Sequence, residues 1–139
     1  MAYKYIEGIT SDVMFEAEGK DLDSMLEQAS LALFDVVCQR KKVNPTKKIK
    51  IKVEGSDEKD IVYMWLSALL SESDANELFF SKFEVKVNKK GKKFVAKGVA
   101  HGEDYSSEKS GTVVKGVTYY NFKVEKTKKG FKCRVVVDI

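Results

Sequence analysis

The chain has 139 residues, a hydrophobic fraction of 43% and a formal net charge of +4. This size is typical of one domain with one core, and the composition excludes a disordered chain. No apolar run approaches the roughly 18 residues that a membrane-spanning helix needs, and residues 1–7 lack the apolar segment of a secretory signal. We therefore expect a single domain over residues 1–139, located in the cytoplasm and without membrane contact.

Lysine supplies most of the positive charge. All but two of the 25 Lys and Arg residues are lysines, the exceptions being Arg40 and Arg134. Arginine makes the bidentate contacts by which proteins hold phosphate and read guanine. The composition is therefore a weak signal for direct, specific RNA binding.

The cysteines do not predict a metal site or a disulfide. Cys38 and Cys133 lie in apolar surroundings, no CxxC spacing is present, and His101 is the single histidine of the chain. Buried cysteines that lack such spacing behave as small apolar side chains. We expect two buried free thiols.

Two strands are predicted at the start of the chain. The first covers Tyr3–Glu7, and the second covers residues 10–19. In the second, Val13, Phe15 and Ala17 alternate with the residues between them, which is the period of a half-buried strand. Asp12 lies at the start of this strand.

A helix, a turn and a third strand follow. From Asp21, apolar residues recur at helical spacing to about residue 40, and Asp21 is a suitable N-cap. Asn44-Pro45 then predicts a turn. Ile49, Ile51 and Val53 alternate with lysines, which indicates a strand with one solvated face.

A second helix is predicted from Ser56-Asp57 to about Ser73, again with an aspartate at its start. Three acidic residues cluster after it: Glu72, Asp74 and Glu77. We interpret this cluster as a solvated helix end, with membership of an acidic site as the alternative.

The last third of the chain is predicted to form β structure. Alternating segments on either side of Gly91 and of Gly130 predict two hairpins, in which glycine supplies a turn position with positive φ. Residues 101–111 are predicted as a long polar loop, and residues 112–120 as a strand. The element order predicts an α+β fold: a single domain with two helices packed on a largely antiparallel β-sheet.

The sequence gives no indication of an enzyme. It contains no GxxxxGK[ST], GxGxxG or GxSxG motif, which are the common signatures of phosphate loops, dinucleotide sites and nucleophile elbows. His101 would also have to serve every base role in nucleophilic catalysis. We expect a protein without an enzymatic activity of its own.

Carboxylates at two distant positions are the candidate site. The β-branched run 135–137 predicts a docked last strand that ends with the Asp138 side chain and the α-carboxylate of Ile139. In a compact sheet, this end can meet Asp12. Three oxygen donors without His or Cys suit Ca²⁺, or another hard cation such as Mg²⁺ or Mn²⁺, better than zinc. The alternative is that Asp12 caps a turn and Asp138 is a solvated terminal charge.

Several separated motifs resemble those of a known family. They are, in chain order, Ser11-Asp12-Val13, Phe15 to Leu22, Ala29 to Phe34, Trp65-Leu66 with Leu69-Leu70, Val114 to Tyr119, and Val137-Asp138-Ile139. Together they resemble the archease family over the whole chain. The resemblance implies the archease fold.

The resemblance also implies a function. Archease is the small protein partner of the RtcB-type tRNA-splicing RNA ligase: it promotes guanylylation and multiple turnover of the ligase and in some cases widens the nucleotide triphosphates that the ligase accepts. A cation assigned as calcium is implied at Asp12, Asp138 and Ile139. RNA would be contacted only indirectly, through the ligase.

Two positions depart from the family pattern. The family usually has a histidine after the Thr-Tyr pair, where this chain has Tyr120, and often one where this chain has Thr10. A role for imidazole at these places does not carry over, whereas the carboxylates are intact.

Two other functions remain open from the sequence. A chaperone-like or RNA-binding accessory module is suggested by the basic charge and the polar loop 101–111, and a small metal-dependent hydrolase by the acidic residues. Lys47, Lys48, Lys50 and Lys52 either face RNA or solvate the sheet.

Overall fold

A computed structural model describes residues 2–6 and 12–139. The strands and helices in these residues are β1 Ala2–Ile6, β2 Asp12–Gly19, α1 Leu22–Val37, β3 Lys47–Gly55, α2 Glu58–Asn76, β4 Leu78–Lys90, β5 Lys93–Asp104, β6 Gly116–Thr127 and β7 Gly130–Asp138. The predicted α+β order is confirmed. Thr10 and Ser11, which were predicted to begin the second strand, lie outside the described residues.

The strands form two sheets. One has four strands in the order β1-β2-β7-β6, and the other has three in the order β3-β5-β4. Every paired strand is antiparallel to its neighbour. The antiparallel character was predicted, but the division into two sheets was not.

The two helices join the sheets around one core. Helix α1 contacts β2 and β4, and α2 contacts β3 and β6, so each helix packs on both sheets. Trp65 of α2 is fully buried, and its indole N–H donates to the Ser30 hydroxyl of α1 at 3.0 Å. This bond satisfies the one polar group of the largest core side chain.

Both helices begin at the predicted aspartates. The Asp21 side chain accepts from the Ser24 amide at 2.8 Å, and Asp57 accepts from the Asp60 amide at 2.7 Å. Each bond satisfies one of the amides that the first turn of a helix leaves unpaired. The predicted helix ends were less accurate. Helix α1 stops at Val37, before the basic residues, and α2 continues past Ser73 to Asn76.

The two predicted hairpins are confirmed at their glycines. Gly91 has φ +63° and Gly130 has φ +145°, conformations that glycine adopts without steric cost. The turns connect β4 to β5 and β6 to β7.

The predicted loop 101–111 was partly wrong, because β5 continues through Asp104. His101 is therefore a strand residue. Gly102 allows this extension: a Cβ there would lie 1.7 Å from the carbonyl oxygen of Phe79 on the neighbouring strand. The polar composition of residues 101–111 predicted a loop, because it does not show that the backbones of β4 and β5 approach each other closely at Gly102.

The predicted strand over 112–120 begins only at Gly116. The preceding residues pair with the end of α1 instead, where the Gly111 amide donates to the Val37 carbonyl at 3.0 Å and the Thr112 amide to the Val36 carbonyl at 2.8 Å. These bonds satisfy carbonyls that the last turn of a helix cannot pair internally.

Both cysteines are buried free thiols, as predicted. Burial raises the pKa of Cys38 and of Cys133 to about 12. Neither side chain is a thiolate at neutral pH. Across the two described ranges, we find no helix that combines the length and the apolar character needed to cross a membrane.

Candidate functional site

Strand pairing brings the two predicted aspartates together. Asp12 of β2 lies directly opposite Asp138 of β7, and Asp138 lies opposite Gly116 of β6 on its other side. Side chains of directly opposed residues leave the same face of a sheet, with Cβ atoms about 5 Å apart. Two aspartates that are separated by most of the chain in sequence therefore lie next to each other on the sheet.

The pair lies on the sheet face that points away from the helices. The adjacent residues Val13, Val117 and Val137 pack against the core on the opposite face. Because successive side chains of a strand alternate between faces, Asp12 and Asp138 point outward. Both residues are half-buried.

Gly116 leaves space beside the pair. Among the residues that the structure describes, no heavy atom lies within 4 Å of a Cβ built on Gly116. The main chain is fixed at the same point, because the Lys115 amide donates to the Asp138 carbonyl oxygen at 2.7 Å. A cation or a partner side chain can approach the aspartates from this side.

The aspartate pair is not neutralised by the described part of the chain. No described Lys, Arg or His side chain lies within 4.0 Å of the Asp12 or Asp138 carboxylate. Like charges placed directly opposite each other destabilise a sheet. The arrangement therefore favours binding of a cation between the two strands.

Glu16, on the same face of β2, is a contrasting case. It is 5% exposed, and its carboxylate accepts from Arg134 at 2.9 and 3.1 Å and lies 3.2 Å from the Lys132 ammonium. Burial alone would raise the pKa of Glu16, but the hydrogen bonds from Arg134 and Lys132 outweigh it and lower that pKa. The protein thus supplies counter-charges for this carboxylate.

Strand pairing does not fix the position of Ile139 relative to Asp12, as it does for Asp138. Strand β7 ends at Asp138, so the register does not set Ile139 opposite Asp12, although it is the next residue in the chain. Among residues 2–6 and 12–139, no group of three or more His, Cys, Asp or Glu side chains is arranged to hold a metal. A cation at the pair would need further oxygen ligands, for which the Ile139 carboxylate, main-chain carbonyls and water are suitable. This oxygen-only chemistry fits Ca²⁺.

Two exposed tyrosines lie three and four residues after Gly116 and were missed as site residues. Tyr119 is 57% exposed and Tyr120 66% exposed, at an irregularity of β6 where Asn121 has φ +54°. Tyr119 stacks on Tyr63 of α2 with ring centroids 4.2 Å apart. Adjacent residues of a strand face opposite sides of the sheet. The sequence Tyr119-Tyr120 therefore already indicated that one of the two rings faces outward.

The other candidates that the structure describes do not join this site. Tyr120, which replaces the usual histidine, donates its amide to the Thr118 hydroxyl at 3.2 Å, and Thr10 lies outside the described residues. His101 lies on the other sheet, 3.3 Å from Glu84. Of the acidic cluster, Glu72 and Asp74 belong to the last turns of α2, and Glu77 is its C-cap.

Comparison with known proteins identifies the family. Residues 3–139 match the Archease protein family (MTH1598/TM1083). The protein archease of Pyrococcus furiosus is 35% identical over 133 residues, covering 94% of both chains. The protein archease of Archaeoglobus fulgidus is 34% identical over 140 residues, covering 100% of both.

Solved structures agree with this match. The solution structure of Methanobacterium thermoautotrophicum protein 1598 superposes with a TM-score of 0.87 at 28% identity, covering 99% of both chains. An archease from Thermotoga maritima, described as a possible chaperone, has a TM-score of 0.64 at 16% identity, covering 98% of this chain and 99% of that one, and shares the fold. The chain belongs to the archease family.

Proposed function

We propose that this protein activates an RtcB-type RNA ligase in the cytoplasm by promoting its guanylylation and multiple turnover in tRNA splicing and RNA repair. Widening the nucleotide triphosphates that the ligase accepts is part of the same proposal. Family membership supports an accessory role. The observation that carries the mechanism is the cross-strand pair of Asp12 and Asp138, which has no counter-charge among the described residues.

The role of the pair follows from its position. Asp12 and Asp138 lie at the end of two paired strands, on the outward face and beside the open space at Gly116. These aspartates would hold Ca²⁺, or Mg²⁺ or Mn²⁺, together with the Ile139 carboxylate. A bound cation supplies charge neutralisation, which phosphoryl and nucleotidyl transfer require. The protein contributes the carboxylates and their rigid backbone, and the ligase contributes the chemistry.

The neighbouring surface is suited to protein contact. Tyr119 and Tyr120 are exposed on β6, and Val113 is 80% exposed in the segment that precedes it. Tyrosine is enriched in protein interfaces because its ring buries a large area with little loss of conformational freedom. We assign the ligase contact to the edge of the four-stranded sheet that is formed by β6 and the segment before it.

A multiple-turnover ligation assay tests the proposal. Wild-type protein is expected to stimulate the ligase, and Asp12→Asn or Asp138→Asn protein is expected to lose most of the stimulation. Glu125→Gln is the matched control, since Glu125 is an exposed carboxylate on β6 of the same sheet. Full stimulation by folded aspartate variants would refute the mechanism.

A chaperone-like activity is the second candidate, supported by a cleft whose lining includes several apolar side chains. The cleft has a volume of about 590 Å³, lies between α2 and residues 110–115, and includes Leu70, Phe79, Tyr105 and Val113 in its lining. Such a cleft suits an exposed apolar segment of a client protein. This function predicts suppression of client aggregation that Val113→Ser weakens and Asp138→Asn does not affect. Client aggregation that wild-type protein does not suppress, or that Val113→Ser protein suppresses as well as wild type, would exclude it.

A further inference from the structure

Six exposed lysines share the solvent face of the three-stranded sheet, which we call the lysine face. They are Lys48, Lys50 and Lys52 on β3, Lys97 on β5, and Lys82 and Lys86 on β4. On β3, the residues between the lysines are Ile49 and Ile51, which pack into the core. Only part of this face was visible in the sequence, because the lysines come from three separate strands.

The register places like charges next to each other. Lys97 lies directly opposite Lys52 on one side and opposite Lys86 on the other, so three lysines form one row across the sheet. A second row consists of Lys48, His101 and Lys82. Directly opposed like charges weaken strand pairing, so these rows cost stability.

The acidic groups on this face do not neutralise the lysines. Glu54 lies 3.6 Å from Lys93 in the β4–β5 hairpin, and Glu84 lies 3.3 Å from His101. Within the described residues, none of the six lysines has a carboxylate within 4.0 Å. The face therefore carries a concentrated positive charge.

The shape of the face gives a ligand access to this charge. A shallow depression of about 430 Å³ lies between β3 and β5, with Lys50, Lys52 and Lys97 around Gly98 and Val99. Lysines at alternate positions of one strand repeat every about 6.8 Å. An extended chain of phosphates can contact several of them at once.

We propose that the lysine face binds the phosphate backbone of RNA without reading its sequence. Lysine is a mobile point charge that contacts phosphate but lacks the planar fork of arginine. A membrane surface is a poorer occupant, because interfacial binding needs protruding apolar anchors, whereas Val95 on this face is buried and Val99 is half-buried. The choice of RNA among polyanions rests on the proposed function. The inference goes beyond that function because the protein itself would contact RNA, rather than only through the ligase.

Binding of a fluorescent 20-nucleotide oligouridylate, measured by anisotropy without ligase, tests this proposal. Six phosphate contacts predict a slope of log K against log salt of about −4, since each contact contributes about −0.7 on a single strand. Neutralising the central row as Lys52→Gln, Lys86→Gln and Lys97→Gln is expected to flatten the slope by about 2 and to weaken binding more than tenfold at 50 mM salt.

The matched control removes the same charge elsewhere. Lys126 lies at the end of β6, Lys128 and Lys129 form the turn to β7, and all three are exposed. Their triple change to Gln is expected to alter affinity less than twofold. Equal losses in both variants would overturn the proposal, because net charge alone would then explain binding. Absence of RNA binding, or binding of polyglutamate or anionic vesicles in preference to RNA, would also overturn it. Because ligase is absent, these outcomes are independent of the aspartate variants that test the proposed function.

Discussion

Asp138→Asn is expected to stabilise the protein in the absence of divalent cations and to abolish its stabilisation by calcium. Asp138 and Asp12 are directly opposed and half-buried, which places their Cβ atoms about 5 Å apart, and we take about 6 Å as the separation of their carboxylates. Repulsion at this distance is about 0.7 kcal/mol at the dielectric constant of water and about 2.8 kcal/mol at an effective value near 20. We take about 1 kcal/mol as the repulsion energy that Asp138→Asn removes. This corresponds to a rise in melting temperature of roughly 3 °C for a domain of this size.

Thermal unfolding with chelator or with calcium measures both effects. Calcium at about 100 times its dissociation constant stabilises a one-site protein by about 2.7 kcal/mol, so wild-type protein is expected to melt several degrees higher with calcium than with chelator. Asp138→Asn is expected to lose this difference, whereas Glu125→Gln keeps it. A variant that melts lower than wild type in chelator would refute the repulsion, and one that keeps the full calcium shift would refute the site.

Three further predictions concern other parts of the molecule. Glu16→Gln is expected to cost about 2 kcal/mol in urea unfolding because it removes a buried carboxylate that accepts two hydrogen bonds from Arg134. Since folding lowers the pKa of Glu16, wild-type stability should be complete above the unfolded-state value near 4.3 and fall below it, with a shallower fall in the variant. Gly102→Ala is expected to lose about 3 kcal/mol of unfolding free energy because its Cβ would overlap the carbonyl oxygen of Phe79. Gly116→Ala is expected to stay within about 0.5 kcal/mol by the same assay, because no described heavy atom lies within 4 Å of its Cβ. Extending the chain after Ile139 replaces its carboxylate by an amide carbonyl and is expected to weaken calcium binding in a titration; unchanged affinity would exclude Ile139 as a charged ligand.

Local chemistry in the sequence predicted much of the fold. Asp21 and Asp57 begin helices because their side chains pair with amides three residues ahead, and Gly91 and Gly130 mark turns because φ is positive there. These signals depend on a few neighbouring residues. The position of Asp12 and Asp138 was also predictable as a strand start and a strand end, although their direct opposition appears only in the register.

Features that depend on contacts between distant segments were not predictable. Strand β5 reaches Asp104 because Gly102 lets the Phe79 backbone approach closely. Gly111 of the predicted loop and Thr112 of the predicted strand both pair with the end of α1. The rows of the lysine face likewise require the pairing of three strands. In each case the sequence shows the residue types but not which segments meet.

The guanylylation rate of the ligase, measured in a single turnover with labelled GTP, tests the central claim most directly. Wild-type protein and Glu125→Gln protein are expected to accelerate transfer of GMP to the ligase to the same extent. Protein carrying Asp12→Asn together with Asp138→Asn, shown to be folded by its melting transition, is expected to give the rate of the ligase alone. Acceleration by this double variant equal to that of wild type would contradict the assignment of the aspartate pair as the activating site.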